Sequence, residues 1–151
     1  MSAAVTLSAG TTVRDAAIFL AQAGTRLAPV VSSKGEFLGA FGEADIHRAL
    51  SEATGGFHTP EEFRTGVPFL GGRLPDPIVT AFARIAWTPV RSLARAVPPV
   101  ASRDPVLASV EAMRREGLPA IPVVDDGRPV GILTADALTL RLLEAALTAG
   151  A

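Results

Sequence analysis

The sequence predicts an α+β fold that contains two copies of one β-α-β-β-α unit. The first observation is an internal repeat, in which Gly24 and Pro29 match Gly117 and Pro122 with an offset of 93 residues. The second is that each copy has the same order of patterns: a helical apolar stripe, a glycine, two short strand-like runs and a second helix. Because only two copies are present and an insertion separates them, a pseudo-symmetric pair is favoured over a solenoid. The predicted boundaries are 1–53 for copy one, 54–92 for the insertion and 93–151 for copy two.

Composition limits the class of protein. The chain has 151 residues, is 48% hydrophobic and has a mean hydropathy of +0.35, which predicts a folded protein with a shared core. Its net charge of −1 argues against general binding to nucleic acid or to an anionic membrane, because both need a basic surface. The absence of cysteine excludes disulfides, thiol nucleophiles and thiolate metal sites. The N-terminal segment does not have the pattern of a signal peptide, and no stretch has the length and apolarity of a membrane span, so we expect a cytoplasmic protein.

The first helix of each copy is predicted from a capping residue, an apolar stripe and a terminal glycine. In copy one, Thr11 or Thr12 can cap the helix, and Gly24 suits the left-handed position that ends it. In copy two, Asp104 is the expected N-cap and Pro105 the first helical residue, and a glycine again ends the helix. The apolar positions that recur with helical spacing are Val13, Ala16, Ala17, Leu20 and Ala23 in copy one, and Val106, Val110 and Met113 in copy two.

Two short strands joined by a turn follow each of these helices. The Asp-Gly dipeptide in the turn of copy two is the stronger hairpin signal. A second helix then begins near Glu43 in copy one and near Ala135 in copy two. A short extended stub is expected before the first helix, near Val5–Leu7 and Val100–Ser102. The strand runs are LAPVVS and EFLGAF in copy one, and AIPVVD and RPVGIL in copy two.

The order of these residues resembles the CBS domain family. The shared pattern is a helix, then G-h-x-x-h-P-V-V, a glycine-containing turn and G-h-h-x-x-x-D-h, where h is aliphatic. Two such copies in one chain resemble a CBS pair, also called a Bateman module, over residues 5–53 and 93–148. The matching residues are Gly24, Pro29-Val30-Val31, Gly35, Gly39 and Asp45-Ile46 in copy one, and Gly117, Pro122-Val123-Val124, Gly127 and Gly131-Ile132-Leu133-Thr134 in copy two.

The resemblance implies a pseudo-twofold CBS pair with two clefts between the copies. Members of the family often bind adenine nucleotides in these clefts, and two modules often form a dimer. Such a cleft has a physical basis, because helix N-termini suit a phosphate, a carboxylate accepts from both ribose hydroxyls, and aliphatic strand residues cover a flat base.

In the family, an aspartate and a hydroxyl three residues before it hold the ribose, and each copy of this chain keeps one of the two. Copy one has Asp45, with Gly42 at the hydroxyl position. Copy two has Thr134, with Ala137 at the aspartate position and Asp136 one residue early, about 100° away on a helix.

The resemblance also implies which segments meet at each cleft. Arg26 stands where the family often has a basic residue that binds phosphate, whereas copy two has Pro119 there, which has no N–H to donate. We therefore expect the cleft with Asp45 and Arg26 to bind a nucleotide more tightly than the cleft with Thr134. The Asp45 cleft is expected to draw on Ser102, Asp104 and the backbone near Leu118 and Pro119, and the Thr134 cleft on Thr11 and the backbone near Thr25 and Arg26.

Each of these residues also has a simpler interpretation. Asp45, Thr134 and Asp104 are residue types that cap helices, and Arg26 can be a solvated charge at a strand edge. Asp125 and Asp126 are typical of turn chemistry rather than of a catalytic pair. His47 is more typical of a solvated helix residue, although it stands close enough to Asp45 in sequence to reach a phosphate there.

The insertion departs from the family pattern. A helix is predicted to start at Thr59-Pro60-Glu61-Glu62, from its cap, its proline and its acidic first turn. A second helix is predicted from a stripe of Ile78, Phe82 and Ile85, with Trp87 at its end. This helix either covers an exposed side of the pair or forms a contact with a partner or a second copy.

Two classes of function remain after the motif search. No nucleotide-loop, hydrolase-elbow or metal-site pattern is present, and His47 and His58 are isolated, so we expect neither an enzyme nor a cofactor. The favoured function is a regulatory module that senses an adenine nucleotide such as AMP or ATP, or a related adenosyl ligand, and acts on a protein effector. The alternative is a dimerisation or scaffold module with degenerate clefts. A homodimer is expected in either case.

Overall fold

The computed structural model of the chain describes residues 2–3, 5–53 and 76–150. The predicted α+β architecture is confirmed, and each copy has its helix–strand–strand–helix order. The elements of copy one are β1 (Ser2–Ala3), β2 (Leu7–Ser8), α1 (Val13–Ala23), β3 (Leu27–Val31), β4 (Phe37–Gly42) and α2 (Glu43–Ala53). The described part of the insertion contains α3 (Asp76–Ala86) and a 3-10 turn (Val90–Ser92), and copy two contains α4 (Val106–Glu116), β5 (Ala120–Asp125), β6 (Arg128–Thr134) and α5 (Ala135–Ala149). The helix predicted at 59–62 lies outside the described residues.

The caps of the first helices were predicted correctly in copy one and wrongly in copy two. The Thr12 side chain accepts from the N–H of Asp15, and Gly24 ends α1 with a φ of 66°. Asp104, by contrast, does not cap α4, because its Oδ2 accepts from the N–H of Ala101 at 2.8 Å. Pro105 has an extended ψ of 146° and precedes the helix, so α4 begins one residue later than predicted.

Two three-stranded sheets carry the repeat. Their strand orders are β2-β3-β4 and β1-β6-β5. In copy one the stub runs parallel to β3, with Leu7 opposite Val30. In copy two Val100 forms the corresponding parallel bridge to Val123, so the predicted stub is reduced there to one paired residue.

A second set of short segments crosses between the copies. Ser2 in β1 pairs with Ile132 in β6, on the sheet of copy two. In the corresponding place, Arg95 pairs with Ala40 in β4, through two backbone hydrogen bonds of 2.9 Å. Gly39 permits this approach, since a Cβ there would lie 2.5 Å from the carbonyl oxygen of Arg95. Each copy therefore contributes a short segment that pairs with the last strand of the other copy.

The insertion contributes to the core of copy one. Helix α3 packs on α1 and α2, and Ile85 and Val90 lie in one buried cluster with residues of copy one. The predicted apolar stripe of α3 is only partly correct, because Ala81 and Ile85 face the core whereas Phe82 is 46% exposed. Trp87, just after the helix, is 69% exposed.

Within the described residues, no helix has both the length and the apolar composition that crossing a membrane requires.

Candidate functional site

Copy two contains a cavity of about 490 Å³. Its walls come from α4, α5, the two strands of the hairpin and the segment that precedes α4. This volume lies within the range of pockets that enclose a small organic ligand. The apolar lining residues are Val100, Ala101, Val106, Val123, Leu133 and Leu138, and the polar ones are Ser102, Asp104, Ser109 and Arg141.

The polar groups cluster beside the segment that precedes α4. Ser102 donates from its hydroxyl to Oδ2 of Asp125 at 2.5 Å and from its N–H to Oδ1 at 3.0 Å. These two hydrogen bonds hold the pKa of Asp125 below its ordinary value, chiefly through the hydroxyl of Ser102. Asp104 is fixed by its hydrogen bond to Ala101, so the segment presents a positioned hydroxyl and a positioned carboxylate to the cavity.

Arg141 is the cation of this cavity, and the sequence interpretation did not include it. The residue lies on α5, four positions after Ala137, which occupies the place of the family's aspartate. Residues four apart share a helix face, so this spacing is the sequence signal from which Arg141 could have been found. A guanidinium can bind a phosphate or carboxylate through two parallel hydrogen bonds.

The corresponding space in copy one is filled. Seven counterparts of the cavity residues lie in one buried cluster with Ile85 and Val90 of the insertion; they are Leu7, Val13, Ala16, Val30, Phe41, Ile46 and Ala49. Val90 is fully buried and donates its N–H to the carbonyl oxygen of Thr11 at 2.8 Å. In addition, Ala9, Thr11 and Ala49 replace the polar Ser102, Asp104 and Arg141. Among the described residues, the two copies therefore differ in structure, with a closed apolar core in copy one and an open cavity in copy two.

Asp45 is buried and bound within the protein. Its Oδ1 lies 2.9 Å from Nη1 of Arg48 and 2.6 Å from Nε of Arg95, and its Oδ2 accepts from the N–H of Gly42 at 2.8 Å. Arg48 also donates to the carbonyl oxygen of Leu93 at 3.0 Å. Among the described residues, Nε of Arg95 makes no directional hydrogen bond, so its contact with Asp45 is ionic. This carboxylate joins α2 to the first residues of copy two, 93–99, which we call the linker.

Asp45 and Thr134, the two residues expected to bind a ribose, each form one of the two hydrogen bonds of a capping box. In a capping box, the first residue's hydroxyl accepts from the third helical residue's N–H, and the third residue's side chain accepts from the first residue's N–H. Copy two keeps the first bond, from the N–H of Ala137 to Oγ1 of Thr134 at 3.1 Å. Copy one keeps the second, from Gly42 to Asp45. A side chain at Gly42 is excluded by the close carbonyl oxygen of Arg26.

The other predicted site residues lie apart from the cavity. Arg26 and Asp136 are exposed, and Thr25 donates its hydroxyl to the carbonyl oxygen of Leu27 at 3.0 Å. Leu118 is buried in the core of copy two, and the carbonyl oxygen of Pro119 accepts from the N–H of Ala135. The structure thus brings Ser102 and Asp104 together with Arg141 in copy two, in a cavity whose lining does not include Asp45.

The described residues contain no group of three or more histidine, aspartate or glutamate side chains placed to hold a metal ion.

Comparison with known proteins gives the same architecture. A sequence model described as the CBS domain matches residues 1–52 and 90–144. Among curated proteins, no match was found. The CBS domain of a CBS domain-containing membrane protein from Sphaerobacter thermophilus is 27% identical, with a TM-score of 0.67 over 93% of this chain and 82% of that chain.

Two further solved structures contain a nucleotide. A CBS domain protein from Pyrobaculum aerophilum, complexed with AMP, is 22% identical, with a TM-score of 0.64 over 95% of this chain and 94% of that one. CBSX2, also in complex with AMP, is 17% identical, with a TM-score of 0.66 over 96% and 93% of the two chains. The internal repeat, the paired sheets and the two matched segments all lead to one assignment: this chain belongs to the CBS domain family and carries two copies of that domain.

Proposed function

We propose that this chain is a regulatory module, without catalytic activity of its own, that binds one adenine nucleotide in the cavity of copy two. The observation that carries the proposal is the cavity of about 490 Å³, whose lining is mostly apolar and includes four polar side chains. Because the corresponding space in copy one is filled by side chains, we expect one ligand to bind per chain. Support also comes from CBS proteins of the same fold that were solved with AMP, and from CbpB, which was solved with c-di-AMP.

The parts of a nucleotide match the groups of the cavity. A purine base packs against the aliphatic side chains of Val123 and Leu133. Asp104 accepts from the ribose hydroxyls, because a carboxylate is an acceptor only. Arg141 binds the phosphate, and its positive charge offsets the repulsion between that phosphate and Asp104. Asp45, which we expected from the sequence to bind the ribose, has a structural role in this proposal, as the partner of Arg48 and Arg95.

Calorimetric titration with AMP, ADP, ATP, S-adenosylmethionine and adenosine tests the proposal. Arg141→Ala is expected to weaken AMP binding by about tenfold, equal to about 1.4 kcal/mol, and to leave adenosine binding unchanged. The value is at the low end for a charged hydrogen bond because Arg141 is exposed to solvent. Arg91→Ala removes the same charge from an exposed residue outside the cavity and is the matched control.

A second pair of variants distinguishes the two clefts. Ser109 is buried at the cavity wall, so Ser109→Val fills part of the space and is expected to abolish binding without loss of the fold. Arg26→Ala is expected to be silent. If Arg26→Ala weakens AMP binding and Arg141→Ala does not, the ligand lies at the cleft predicted from the sequence. If none of the ligands binds at millimolar concentration, the sensor function is wrong.

The alternative function, a dimerisation or scaffold module, is favoured by a separate observation. Several large apolar side chains of α3 and α5 are exposed, which is unusual for a protein without a binding partner. We infer a homodimer from these surfaces, and light scattering at tens of micromolar protein is expected to give twice the mass of one chain. A dimer can also bind nucleotide. Calorimetry therefore tests nucleotide binding, and light scattering tests dimer formation independently.

A further inference from the structure

The buried end of the cavity in copy two contains one polar side chain. The lining residues with less than a tenth of their surface exposed are Val100, Ser109, Val123 and Leu138. Ser109, on α4, is the polar member of this set, with 5% of its surface exposed. The other polar lining residues are exposed and therefore lie at the open edge; they are Ser102, Asp104 and Arg141. The cavity thus has a charged rim and an apolar end that carries a single hydroxyl.

The hydroxyl of Ser109 has no partner within the described part of the chain. A serine or threonine inside a helix can donate to the carbonyl oxygen four residues earlier. Thr139 and Thr148 on α5 make this hydrogen bond, at 2.9 Å and 2.8 Å. Ser109 does not donate to Pro105 in this way, and no other described residue forms a hydrogen bond with its hydroxyl. A buried polar group without a protein partner is uncommon, and this one remains free to bond to a ligand.

The repeat indicates that the fold does not need this hydroxyl. Ser109 corresponds to Ala16 on α1, with the same offset of 93 residues. Ala16 is fully buried in the closed core of copy one, so a methyl side chain is sufficient for packing at this position. The additional oxygen atom is present in the copy that has the open cavity.

We propose that the hydroxyl of Ser109 binds the polar edge of the ligand's base and thereby determines which end of the nucleotide enters the cavity. This inference rests on the proposed function. The phosphate is excluded from the buried end, because burying its charge beside one neutral hydroxyl costs far more than leaving it at the rim beside Arg141. A purine is flat and largely apolar, and its edge carries ring nitrogens and, in adenine, an amino group. A hydroxyl both donates and accepts, so Ser109 can bond to either group.

Adenosine and benzimidazole riboside together test the contact with the base edge. The two ligands have the same ribose and the same ring size, but the six-membered ring of benzimidazole carries no nitrogen and no amino group. Ser109→Ala is expected to weaken adenosine binding by about 3- to 10-fold, as for the loss of one neutral hydrogen bond, and to leave benzimidazole riboside binding unchanged. Calorimetry measures both affinities. Thr139→Ala removes a hydroxyl of α5 that does not line the cavity, and this control is expected to change neither affinity.

AMP tests the direction in which the nucleotide lies. Ser109→Ala is expected to weaken the binding of AMP and of adenosine by the same factor, whereas Arg141→Ala is expected to weaken the binding of AMP alone. Because the two residues contact opposite ends of the ligand, their effects on AMP binding are expected to multiply in the double variant.

The thermal midpoint of the free protein distinguishes a binding role from a structural one. Ser109→Ala removes no hydrogen bond between described residues, and alanine favours a helix more than serine does, so the midpoint is expected to stay the same or to rise. Ser109→Cys nearly keeps the volume but has a much weaker hydrogen-bonding group, so it is expected to weaken adenosine binding as Ser109→Ala does. A lower midpoint for Ser109→Ala with weaker binding of every ligand would give Ser109 a structural role and overturn the proposal.

The binding results separate this inference from the proposed function. If the unchanged protein binds no nucleotide, the proposed function is wrong and the assignment of Ser109 falls with it. If AMP binds and Ser109→Ala has no effect on its affinity, the nucleotide site stands and only the assignment of Ser109 is overturned. A loss for AMP without a loss for adenosine would place the hydroxyl at the phosphate, and an equal loss for benzimidazole riboside would exclude the base edge as its partner. Either of these results also overturns the proposal.

Discussion

Asp45 on α2 and Arg95 in the linker meet with 2.6 Å between Oδ1 and Nε, and the backbone of Arg95 is at the same time paired with Ala40. The aspartate is fully buried, whereas the arginine side chain is 31% exposed. The charge of Asp45 therefore fixes the place where the linker enters the sheet of copy one. A residue that the sequence associated with a ligand is thus a central contact of the fold.

The first prediction concerns this contact. Asp45→Asn keeps an acceptor for the N–H of Gly42 but removes the charge that two arginines share. We expect a loss of about 2–3 kcal/mol in the free energy of unfolding, below the range for a fully buried pair because both guanidinium groups can rehydrate. Urea denaturation at pH 7 measures the loss.

The exposed pair of Arg14 and Asp15 is the control for that experiment. Asp15→Asn is expected to change the free energy of unfolding by less than about 0.5 kcal/mol, as for other surface ion pairs. Equal losses for Asp45→Asn and Asp15→Asn would show that Asp45 does not hold the linker.

The second prediction concerns pH. The hydrogen bonds from Ser102 lower the pKa of Asp125, so the ionised carboxylate stabilises the folded state. This contribution is complete above the pKa of the unfolded chain, about 3.9, and is lost as the pH falls through the lower folded value. Ser102→Ala is expected to raise the pKa of Asp125, measured by NMR titration of its carboxyl carbon.

The stability of the same variant provides a second measurement. The difference in stability between the unchanged protein and Ser102→Ala is expected to be present at pH 7 and to shrink below pH 4. A difference that stays constant down to pH 2 would attribute the effect of Ser102 to something other than the charge of Asp125.

The third prediction follows from the divided capping box. Ala137→Asp adds the missing carboxylate in copy two and is expected to stabilise the protein by about 0.5–1 kcal/mol. Gly42→Ala in copy one is expected to destabilise it by about 1–3 kcal/mol, because the added Cβ meets the carbonyl oxygen of Arg26. Thermal unfolding should therefore move in opposite directions for the two variants, and a shift in the same direction would contradict the arrangement of the caps.

The fourth prediction concerns the filled core of copy one. Val90→Ala leaves a void between the insertion and copy one and is expected to cost about 2–3 kcal/mol in the free energy of unfolding. Val130→Ala removes the same atoms from a side chain that is 40% exposed, and is expected to cost less than about 1 kcal/mol. Val90→Ala is also expected to leave the nucleotide stoichiometry at one, because copy one lacks the polar groups of the cavity. A stoichiometry of two in calorimetry would contradict that asymmetry.

Local patterns in the sequence predicted the elements well but did not determine the site. The helix starts at Glu43 and Ala135 were correct, because a glycine or threonine followed by a good helix former marks them locally. The same local chemistry made Asp45 and Thr134 ambiguous. An acid and a hydroxyl at this spacing suit both a ribose and a helix N-terminus. The partner that binds Asp45 within the protein, Arg95, lies 50 residues away in the sequence, so no local pattern could reveal it.

Long-range packing accounts for what the sequence did not predict. The pairing of Ser2 and Ala3 with β6 was not predicted, because these two residues have no strand pattern in the sequence. Val90 fills the core of copy one only because the insertion follows a path that brings it there. Similarly, the exposure of Phe82 depends on which side of α3 packs on copy one. Periodicity identifies an apolar stripe, but it does not specify which of two apolar sides becomes buried.

The exchange of the segments at Ser2 and Arg95 has a consequence for any single copy. A fragment that contained only copy two would lack the β1 residues that pair with β6, and a fragment of copy one would lack Arg95. Each fragment would expose an unpaired strand edge, which readily recruits another chain. A protein with one copy could satisfy both edges only by trading segments with a twin, as in domain swapping. The covalent link between the copies thus replaces a bimolecular association by a unimolecular one, and the two halves should unfold together in one transition rather than in two.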